Sequence, residues 1–273
     1  MIRLLALDLD GTLIGDDLQM PVAVREAIAE AQARGVIVTL ATGRMFAVAL
    51  PFARDLRLSA PLICYQGALI QSPGAAQPLY LETMDAALIS EVLTWQAECG
   101  WQIVLYTATE AFALEQHYSD LFNAVLACER LQWVADFREV VRGNVPVKFL
   151  LVAEPAEADR IEAELRQRFD GRIAIVRSHA VVVEGSPLNA TKGNALRWVA
   201  QHLGIAQADT MAIGDQDNDA SMVAWAGVGV AMGNGSPACR AAADWVAPSF
   251  SQHGAAVAIE RFILEDQAKQ QPS

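Results

Sequence analysis

Short apolar runs alternate with amphipathic segments over the first 65 residues of the chain. The runs are Leu4 to Leu7, Val36 to Leu40 and the strand-like "PLICY", and apolar residues at helical spacing fill segments 22–34 and 45–56 between them. Apolar strands separated by helices are typical of right-handed βαβ units. The pattern therefore predicts an α/β fold with a Rossmann-like parallel sheet covered by helices on both faces.

The rhythm changes near Glu82. Three helical segments, 85–99, 119–128 and 156–169, are interspersed with half-alternating runs such as "VKFLLV" and "AVVVE". Such a mixture is typical of an α+β module with an antiparallel sheet. After "GSPLN" the first rhythm returns, with a helix from Lys192 and a strand "TMAI". We therefore predict a core domain formed by residues 1–82 and 188–273, with an α+β domain, residues 83–187, inserted into it.

The composition and net charge of the chain make some classes of binding partner unfavourable. Twenty Lys and Arg against 32 Asp and Glu give a formal charge of −12, and such a field disfavours binding to nucleic acid or to an anionic membrane. The N-terminus has no long apolar segment, and no apolar run reaches ~18 residues. The four cysteines, which are Cys64, Cys99, Cys128 and Cys239, are widely spaced in apolar stretches. We expect buried, reduced thiols in a cytoplasmic protein that binds neither nucleic acid nor membrane.

Two carboxylates follow the first predicted strand, in "LLALDLDGTL". Asp8 and Asp10 are separated by Leu9, and side chains at positions i and i+2 of an extended segment project to the same face. Like charges this close are tolerated when one acid is protonated or when a cation lies between them. The pair predicts either a metal site or a proton-transfer site.

Four segments stand at the predicted carboxyl ends of core strands, the edge at which open α/β sheets bind ligands. They are "DLDGT", "ATGR", Lys192 at the start of its helix, and "GDQDND". Each alone has an ordinary interpretation as a turn, a helix cap or a solvated charge. Together they supply the complementary parts of one reaction.

That reaction is phosphoryl transfer. Asp8 and Asp215 offer the hard oxygen ligands that suit Mg²⁺. The hydroxyl of Thr42, the backbone of Thr42 and Gly43, and the ammonium of Lys192 can hold phosphoryl oxygens. Asp8 is then free to attack phosphorus, and Asp10 is placed to give and take the proton.

The same four segments, in this order, resemble the haloacid dehalogenase-like phosphatases, specifically the Cof-type subclass with an α/β cap of the IIB kind. The resemblance covers nearly the whole chain: "DLDGTL", "ATGR", "TKGNAL" and "AIGDQDNDASMVAWAGVGVAMGN" match the four motifs, and the cap falls between the second and the third. It implies a Mg²⁺-dependent hydrolase of small phosphomonoesters that works through a phosphoaspartate.

Residue roles follow from the resemblance. It implies that Asp8 is the nucleophile and a Mg²⁺ ligand, and that Asp10 is the acid/base and binds the metal through its backbone carbonyl. It also implies that Asp215 is a further metal ligand, and that Asp219 supports the metal site without binding the metal itself. It also implies a set of phosphate contacts: the N–H of Leu9, together with Thr42, Gly43, Lys192 and Asn218.

The chain departs from the family pattern at two places near the expected mouth of the site. It reads "QGA", with Gln66, where the family usually reads "NGA", and "SFSQHGAA" where it usually reads "SN.EDGVA". Gln66 and Arg44 are candidate residues of a substrate-binding mouth that differs from that of close relatives.

Two alternatives remain open at the sequence level. A sugar phosphomutase of the same superfamily has the same kind of cap, and a noncatalytic phosphate-binding protein could keep the fold. Retention of both Asp8 and Asp10 argues against the second alternative, because binding alone needs no nucleophile with an acid two residues on. The substrate itself and the oligomeric state cannot be read from the pattern.

Overall fold

The computed structural model describes residues 1–116, 118–127 and 130–265, and they form two compact units. One unit comprises Met1–Tyr80 and the segment from Thr191 onward; the other is Leu81–Ala190. The first stretch of the chain contains β1 (Leu4–Leu7), α1 (Val22–Ala33), β2 (Ile37–Leu40), α2 (Phe46–Asp55), β3 (Leu62–Cys64), a 3-10 turn (Tyr65–Gly67), β4 (Leu69–Gln71) and β5 (Tyr80–Leu81).

The second unit follows. It contains α3 (Ala86–Cys99), β6 (Gln102–Tyr106), β7 (Ala111–Leu114), α4 (Asp120–Val125), β8 (Leu131–Val134), α5 (Phe137–Gly143), β9 (Lys148–Val152), α6 (Pro155–Phe169), β10 (Ala174–His179) and β11 (Val182–Ser186).

The chain then returns to the first unit. It forms α7 (Lys192–His202), β12 (Thr210–Gly214), a 3-10 turn (Asp217–Asp219), α8 (Ala220–Trp225), β13 (Val228–Ala231), α9 (Pro237–Ala242), β14 (Trp245–Val246), α10 (Gly254–Ile259) and a π-helical turn (Glu260–Leu264).

A five-stranded parallel sheet forms the centre of the first unit, in the order β14-β13-β12-β1-β2. β1, "LLAL", is buried along its whole length, as expected for a strand covered on both faces. Leu4 and Ala6 of β1 belong to an apolar cluster with Leu196 of α7 and Met222 of α8. The predicted α/β core with a parallel sheet is confirmed.

A six-stranded sheet, in the order β10-β11-β9-β6-β7-β8, forms the second unit. One face packs on helices, through side chains such as Trp95 of α3 and Leu165 of α6 against Leu105 and Phe149. The predicted antiparallel pairing holds for β10-β11, β11-β9, β9-β6 and β6-β7, but β7 and β8 are parallel. A crossover that includes helix α4 joins these two strands, so both run in the same direction, which half-alternating patterns do not reveal.

Several sequence predictions differ from the structure in detail. The sequence pattern does not predict helix α5, strand β8 or the short strands β4 and β5; β8, for example, is only partly buried and has no continuous apolar run. Cys64 and Cys239 are buried as predicted, but the prediction is wrong for Cys99, which is exposed on the last turn of α3. Cys128, where a helix was predicted to end, lies outside the described residues. No helix in the described ranges is long and apolar enough to cross a membrane.

Candidate active site

Two aspartates follow neighbouring strands at the centre of the parallel sheet. Asp8 comes directly after β1 and Asp215 directly after β12, and Leu7 pairs with Ile213 in the register between these strands. The chain leaves β1 for β2 on one side and later returns to β12 on the other side. The carboxyl ends of β1 and β12 therefore form the switch point at which α/β sheets bind ligands.

A buried lysine joins two of the site's acids. Lys192 Nζ donates to Asp8 Oδ1 at 2.6 Å and to Asp219 Oδ1 at 2.5 Å, and the lysine is only 1% exposed. Lys192 is the first residue of α7, whose N-cap Thr191 accepts a hydrogen bond from the Asn194 N–H. The cap fixes where the helix starts and hence where the lysine enters the site.

Asp219 is held on both of its oxygens. Its Oδ2 accepts the N–H groups of Asp215 and Gln216, at 2.9 and 3.0 Å, while Oδ1 accepts from Lys192. Asp219 thereby ties the loop after β12 to α7. Asp8, in contrast, uses only Oδ1 on Lys192, and no hydrogen bond from the described residues reaches its Oδ2.

The Asp215 carboxylate accepts hydrogen bonds from residues that the sequence analysis did not identify. Thr12 Oγ1 donates to Asp215 Oδ1 at 3.1 Å, and Gln216 Nε2 donates to Asp215 Oδ2 at 2.7 Å. Asn234 Nδ2 donates to the Gly11 carbonyl at 3.0 Å and lies 3.5 Å from Asp215 Oδ2. Thr12 lies in the motif "DLDGT" and Asn234 in the segment "AMGN" at the end of the fourth motif, so their positions in these motifs could have identified them as site residues.

A glycine makes the approach of Asp215 possible. Gly11 has a φ of +84°, and a Cβ at this position would overlap Asp215 Oδ2. Both the backbone conformation and the lack of a side chain are therefore required here.

Burial and mutual repulsion raise the pKa values of the acids. The pKa of Asp8 lies well above its ordinary value, chiefly because of burial and then because of Asp219, against the opposing effect of Lys192. Burial, followed by the charge of Asp219, raises the pKa of Asp215 to about 6. Burial lowers the pKa of Lys192, but Asp219 and Asp8 outweigh that effect and raise it, so the lysine stays charged.

The donor set fits a divalent cation. Oxygens of Asp8, Asp215 and Asp219 lie within 4.8 Å of one another, and all three residues are buried. One ammonium does not balance three carboxylates, so the ionised cluster carries excess negative charge. Hard, negatively charged oxygen donors are the ligands that suit a divalent cation such as Mg²⁺.

Asp10 has a partner of its own. Arg44 Nε donates to Asp10 Oδ2 at 2.8 Å and Arg44 Nη2 to Asp10 Oδ1 at 2.5 Å. The Arg44 guanidinium lies 5.7 Å from the centre of the Phe52 ring. The repulsion between Asp8 and Asp10 is thus offset by two separate basic residues, Lys192 and Arg44. Arg44, predicted at the substrate mouth, contacts the predicted acid/base.

The loop after β2 carries Thr42 and Gly43. The Thr42 N–H donates to the Ile63 carbonyl at 2.9 Å, and the Thr42 hydroxyl accepts the Arg44 N–H at 3.1 Å. Of the groups predicted to hold phosphate at Thr42, the backbone N–H is therefore used within the protein, beside the isolated bridge between Ala41 and Ile63 of β3. The Thr42 hydroxyl hydrogen is the group that this residue can offer.

The remaining predicted site residues occupy two loops. Leu9 is buried in the turn after β1, and its carbonyl accepts the N–H groups of Leu13 and Ile14. Asn218 Nδ2 donates to Gln66 Oε1 at 2.9 Å. Gln66, predicted at the mouth, is buried, with only 4% of the residue exposed.

The chain is similar to known proteins over nearly its whole length. Residues 5–259 match the family described as haloacid dehalogenase-like hydrolase. A Bacillus subtilis protein named "Putative phosphatase YxeH" is 30% identical over 97% of this chain and 99% of its own. The 5-amino-6-(5-phospho-D-ribitylamino)uracil phosphatase YcsE of Bacillus subtilis is 28% identical over 96% of each chain. A solved haloacid dehalogenase-like hydrolase from Bacteroides thetaiotaomicron is 28% identical, with a TM-score of 0.84, over 96% of this chain and 99% of its own.

Proposed function

The chain belongs to the haloacid dehalogenase-like hydrolases, and from that premise we propose that it is a Mg²⁺-dependent phosphatase that hydrolyses small phosphomonoesters through a phosphoaspartate. The enzyme class, a phosphoric monoester hydrolase, follows from the family and its relatives. The cation, the intermediate and the residue roles are the proposal. The observation that carries them is the buried cluster of Asp8, Asp215, Asp219 and Lys192 at the switch point.

Asp8 is the proposed nucleophile. Lys192 holds its Oδ1, which leaves Oδ2 to attack phosphorus while the bond between phosphorus and the ester oxygen breaks. The product of this step is a phosphoaspartate and an alcohol. Lys192 remains beside the transferred group and offsets the charge of its oxygens.

Asp10 is the proposed proton carrier. As an acid it protonates the departing ester oxygen; as a base it then takes a proton from the water that attacks the phosphoaspartate and releases orthophosphate. Arg44 donates to both Asp10 oxygens in this structure. Proton transfer therefore requires Arg44 to release at least one of them when substrate is bound.

The proposed phosphate contacts come from the loops after β1, β2 and β12 and from the start of α7. The Thr42 hydroxyl, the Gly43 and Leu9 N–H groups, Lys192 and Asn218 are the candidate donors. Asp8, Asp215 and the Asp10 carbonyl would hold Mg²⁺. Bound there, the cation would neutralise charge on the phosphoryl oxygens and on the carboxylates.

The second unit, predicted as an inserted domain over residues 83–187, is the proposed cap. We propose that it closes over the site, excludes bulk water and admits only small substrates. The relative YcsE is named for a phosphorylated ribitylamino-uracil, which supports small phosphorylated metabolites, sugar phosphates among them, as the substrate class here.

Phosphate release from a panel of phosphorylated metabolites tests the proposal. We expect release that requires Mg²⁺, stops in excess chelator and is absent in Asp8→Asn. The matched control is Asp209→Asn, an acid of the same unit that pairs with the N-terminal amine away from the site. Release that persists in chelator, or no release from any ester, would contradict the proposal.

A further inference from the structure

The turn Tyr65–Gly67 has an unfavourable backbone conformation. Tyr65 and Gln66, both with side chains, have φ values of 50° and 58°, and Gly67 follows with 107°. Residues other than glycine rarely adopt this left-handed region, and two in succession persist only where the surroundings hold them. The contacts of the turn show what holds it.

Its backbone is bonded to the loop after β2. The Tyr65 N–H donates to the Arg44 carbonyl and the Gln66 N–H to the Thr42 carbonyl, each at 3.1 Å. On the other side, a Cβ at Gly67 would overlap the carbonyl of Thr191, the residue before Lys192. The turn therefore packs between the Thr42–Arg44 loop and the start of α7, which both carry proposed phosphate contacts.

The side chain of Gln66 reaches a third phosphate contact. Its Oε1 accepts from Asn218 Nδ2 at 2.9 Å, and a Cβ on Gly43 would overlap its Nε2. One Asn218 amide hydrogen is thus used by Gln66, and the other remains for a phosphoryl oxygen. Asn218 Oδ1 is buried and has no hydrogen-bond partner among the described residues, so Gln66 supplies the contact that orients this amide.

We propose that Gln66 is a positioning residue, which sets the orientation of the Asn218 amide and its separation from Gly43 so that both meet one phosphoryl group. The proposal rests on the proposed function, since it assigns these two residues to phosphate. It also gives a role to the departure "QGA": the longer glutamine spans the gap between Gly43 and Asn218. With the left-handed backbone at Tyr65 and Gln66, the Gln66 side chain reaches both Asn218 and Gly43.

Two variants separate this role from simple packing. Gln66→Gly removes the side chain and relieves the left-handed strain, so the protein should be at least as heat-stable as wild type. Gln66→Met keeps the length and volume but cannot accept from Asn218. The control is Gln71→Met, at a glutamine at the end of β4 whose side-chain amide donates to the Ala75 carbonyl.

The measurements use the full chain with Mg²⁺: the affinity for inorganic phosphate by calorimetry, and kcat and KM for p-nitrophenyl phosphate. We expect both Gln66 variants to bind phosphate about 10-fold to 100-fold more weakly, with Gln66→Gly unchanged or higher in Tm and Gln71→Met like wild type. In an Asn218→Ala background, Gln66→Gly should have little further effect, because its target is gone.

The outcomes are distinct. Wild-type phosphate affinity in both Gln66 variants, losses that only follow Tm, or additive effects with Asn218→Ala would overturn the positioning role. A wild-type chain that releases no phosphate from any ester, while phosphate binding still depends on Gln66, would overturn the proposed function and leave the positioning role supported. A wild-type chain that neither binds phosphate nor releases it from any ester would overturn both.

Discussion

At the scale of single residues, the two acids of the opening motif differ more than their spacing suggests. Asp8 is buried, with a raised pKa and a lysine partner, whereas Asp10 is half exposed and held by Arg44 on both oxygens. β1 ends at Leu7, so Asp10 lies in the turn beyond the strand. Asp8 is the proposed nucleophile and Asp10 the proposed proton carrier, and kinetics can separate the two roles.

Asp8→Asn should form no phosphoenzyme with any ester, because both the nucleophile and a metal ligand are lost. Asp10→Asn should still phosphorylate Asp8 when the leaving group needs no proton. With an aryl phosphate we expect a burst of about one phenolate per site followed by slow turnover, and with an alkyl phosphate no burst. Rapid mixing of both variants with both esters measures this.

Either of two results would contradict these roles. A burst from Asp8→Asn would show that another residue is the nucleophile. Unchanged alkyl-ester turnover in Asp10→Asn would show that the second carboxylate is only structural.

The acidic cluster also makes stability depend on pH. Asp215 has a pKa of about 6 in the folded chain against an ordinary 3.8. Between these two pH values the folded chain therefore holds a proton on Asp215 that the unfolded chain does not hold. The stabilisation that this proton provides is complete below about pH 3.8 and is lost as the pH rises through about 6. The raised pKa of Asp8 acts in the same direction.

Mg²⁺ at the proposed site would bind the ionised carboxylates and should thereby restore the stabilisation that is lost at higher pH. We expect the rise in Tm on adding Mg²⁺ to be larger at pH ~7.5 than at pH ~5, because protons compete for the same oxygens at the lower pH. Thermal melts at matched ionic strength measure it, and Asp215→Asn should lose most of the effect. An equal rise in Tm at both pH values would count against a metal site at these residues.

At the scale of elements, the sheet of the second unit contains a buried ion pair that the sequence did not reveal. Lys148 on β9 donates to Glu184 on β11 at 3.0 Å, and its Nζ lies 4.8 Å from the centre of the Tyr106 ring on β6. Both charged side chains are more than nine-tenths buried. The attraction between two buried charges offsets the free-energy cost of removing them from water only while both partners are present.

Removing one partner should therefore cost more than removing both. We expect Lys148→Met to lower the free energy of unfolding by about 3–5 kcal/mol, because the Glu184 carboxylate is left buried and unpaired. Lys148→Met with Glu184→Leu should recover most of that loss. Urea denaturation followed by tryptophan fluorescence compares the two, with the exposed pair Arg172–Glu91 of the same unit as a control whose disruption should cost under about 1 kcal/mol. A double variant as unstable as the single one would contradict this account.

At the scale of the whole molecule, the chain consists of two units, and the second interrupts the first between β5 and α7. All the proposed catalytic and phosphate-binding residues belong to the first unit. We propose that the second unit, as the cap, controls which substrates enter. This arrangement predicts selection by substrate size.

We expect a small phosphorylated metabolite to be hydrolysed at least ~100-fold faster, in kcat/KM, than the same phosphomonoester on a folded phosphoprotein, because a closed cap excludes the protein. An unstructured phosphopeptide of the same sequence is the intermediate case. Phosphate release at equal concentrations measures all three. Equal rates for the metabolite and the phosphoprotein would refute closure.

The sequence by itself determined the parts that depend on local pattern. Apolar runs and their spacing predicted the parallel core and the change of rhythm near Glu82, because strand and helix periods are local properties. Motifs at strand ends predicted Asp8, Thr42, Lys192 and Asp215 as neighbours, because the carboxyl ends of parallel strands meet at one edge.

Only the tertiary structure decided which distant groups bond to each other. It paired Arg44 with Asp10, gave the Thr42 N–H to Ile63, and placed Gln66 against Asn218, 152 residues away along the chain. It also buried Lys148 beside Glu184. Such contacts depend on strand order, turn conformation and side-chain reach together, and the period of a sequence carries no information on which of several polar groups will be nearest once the chain is packed.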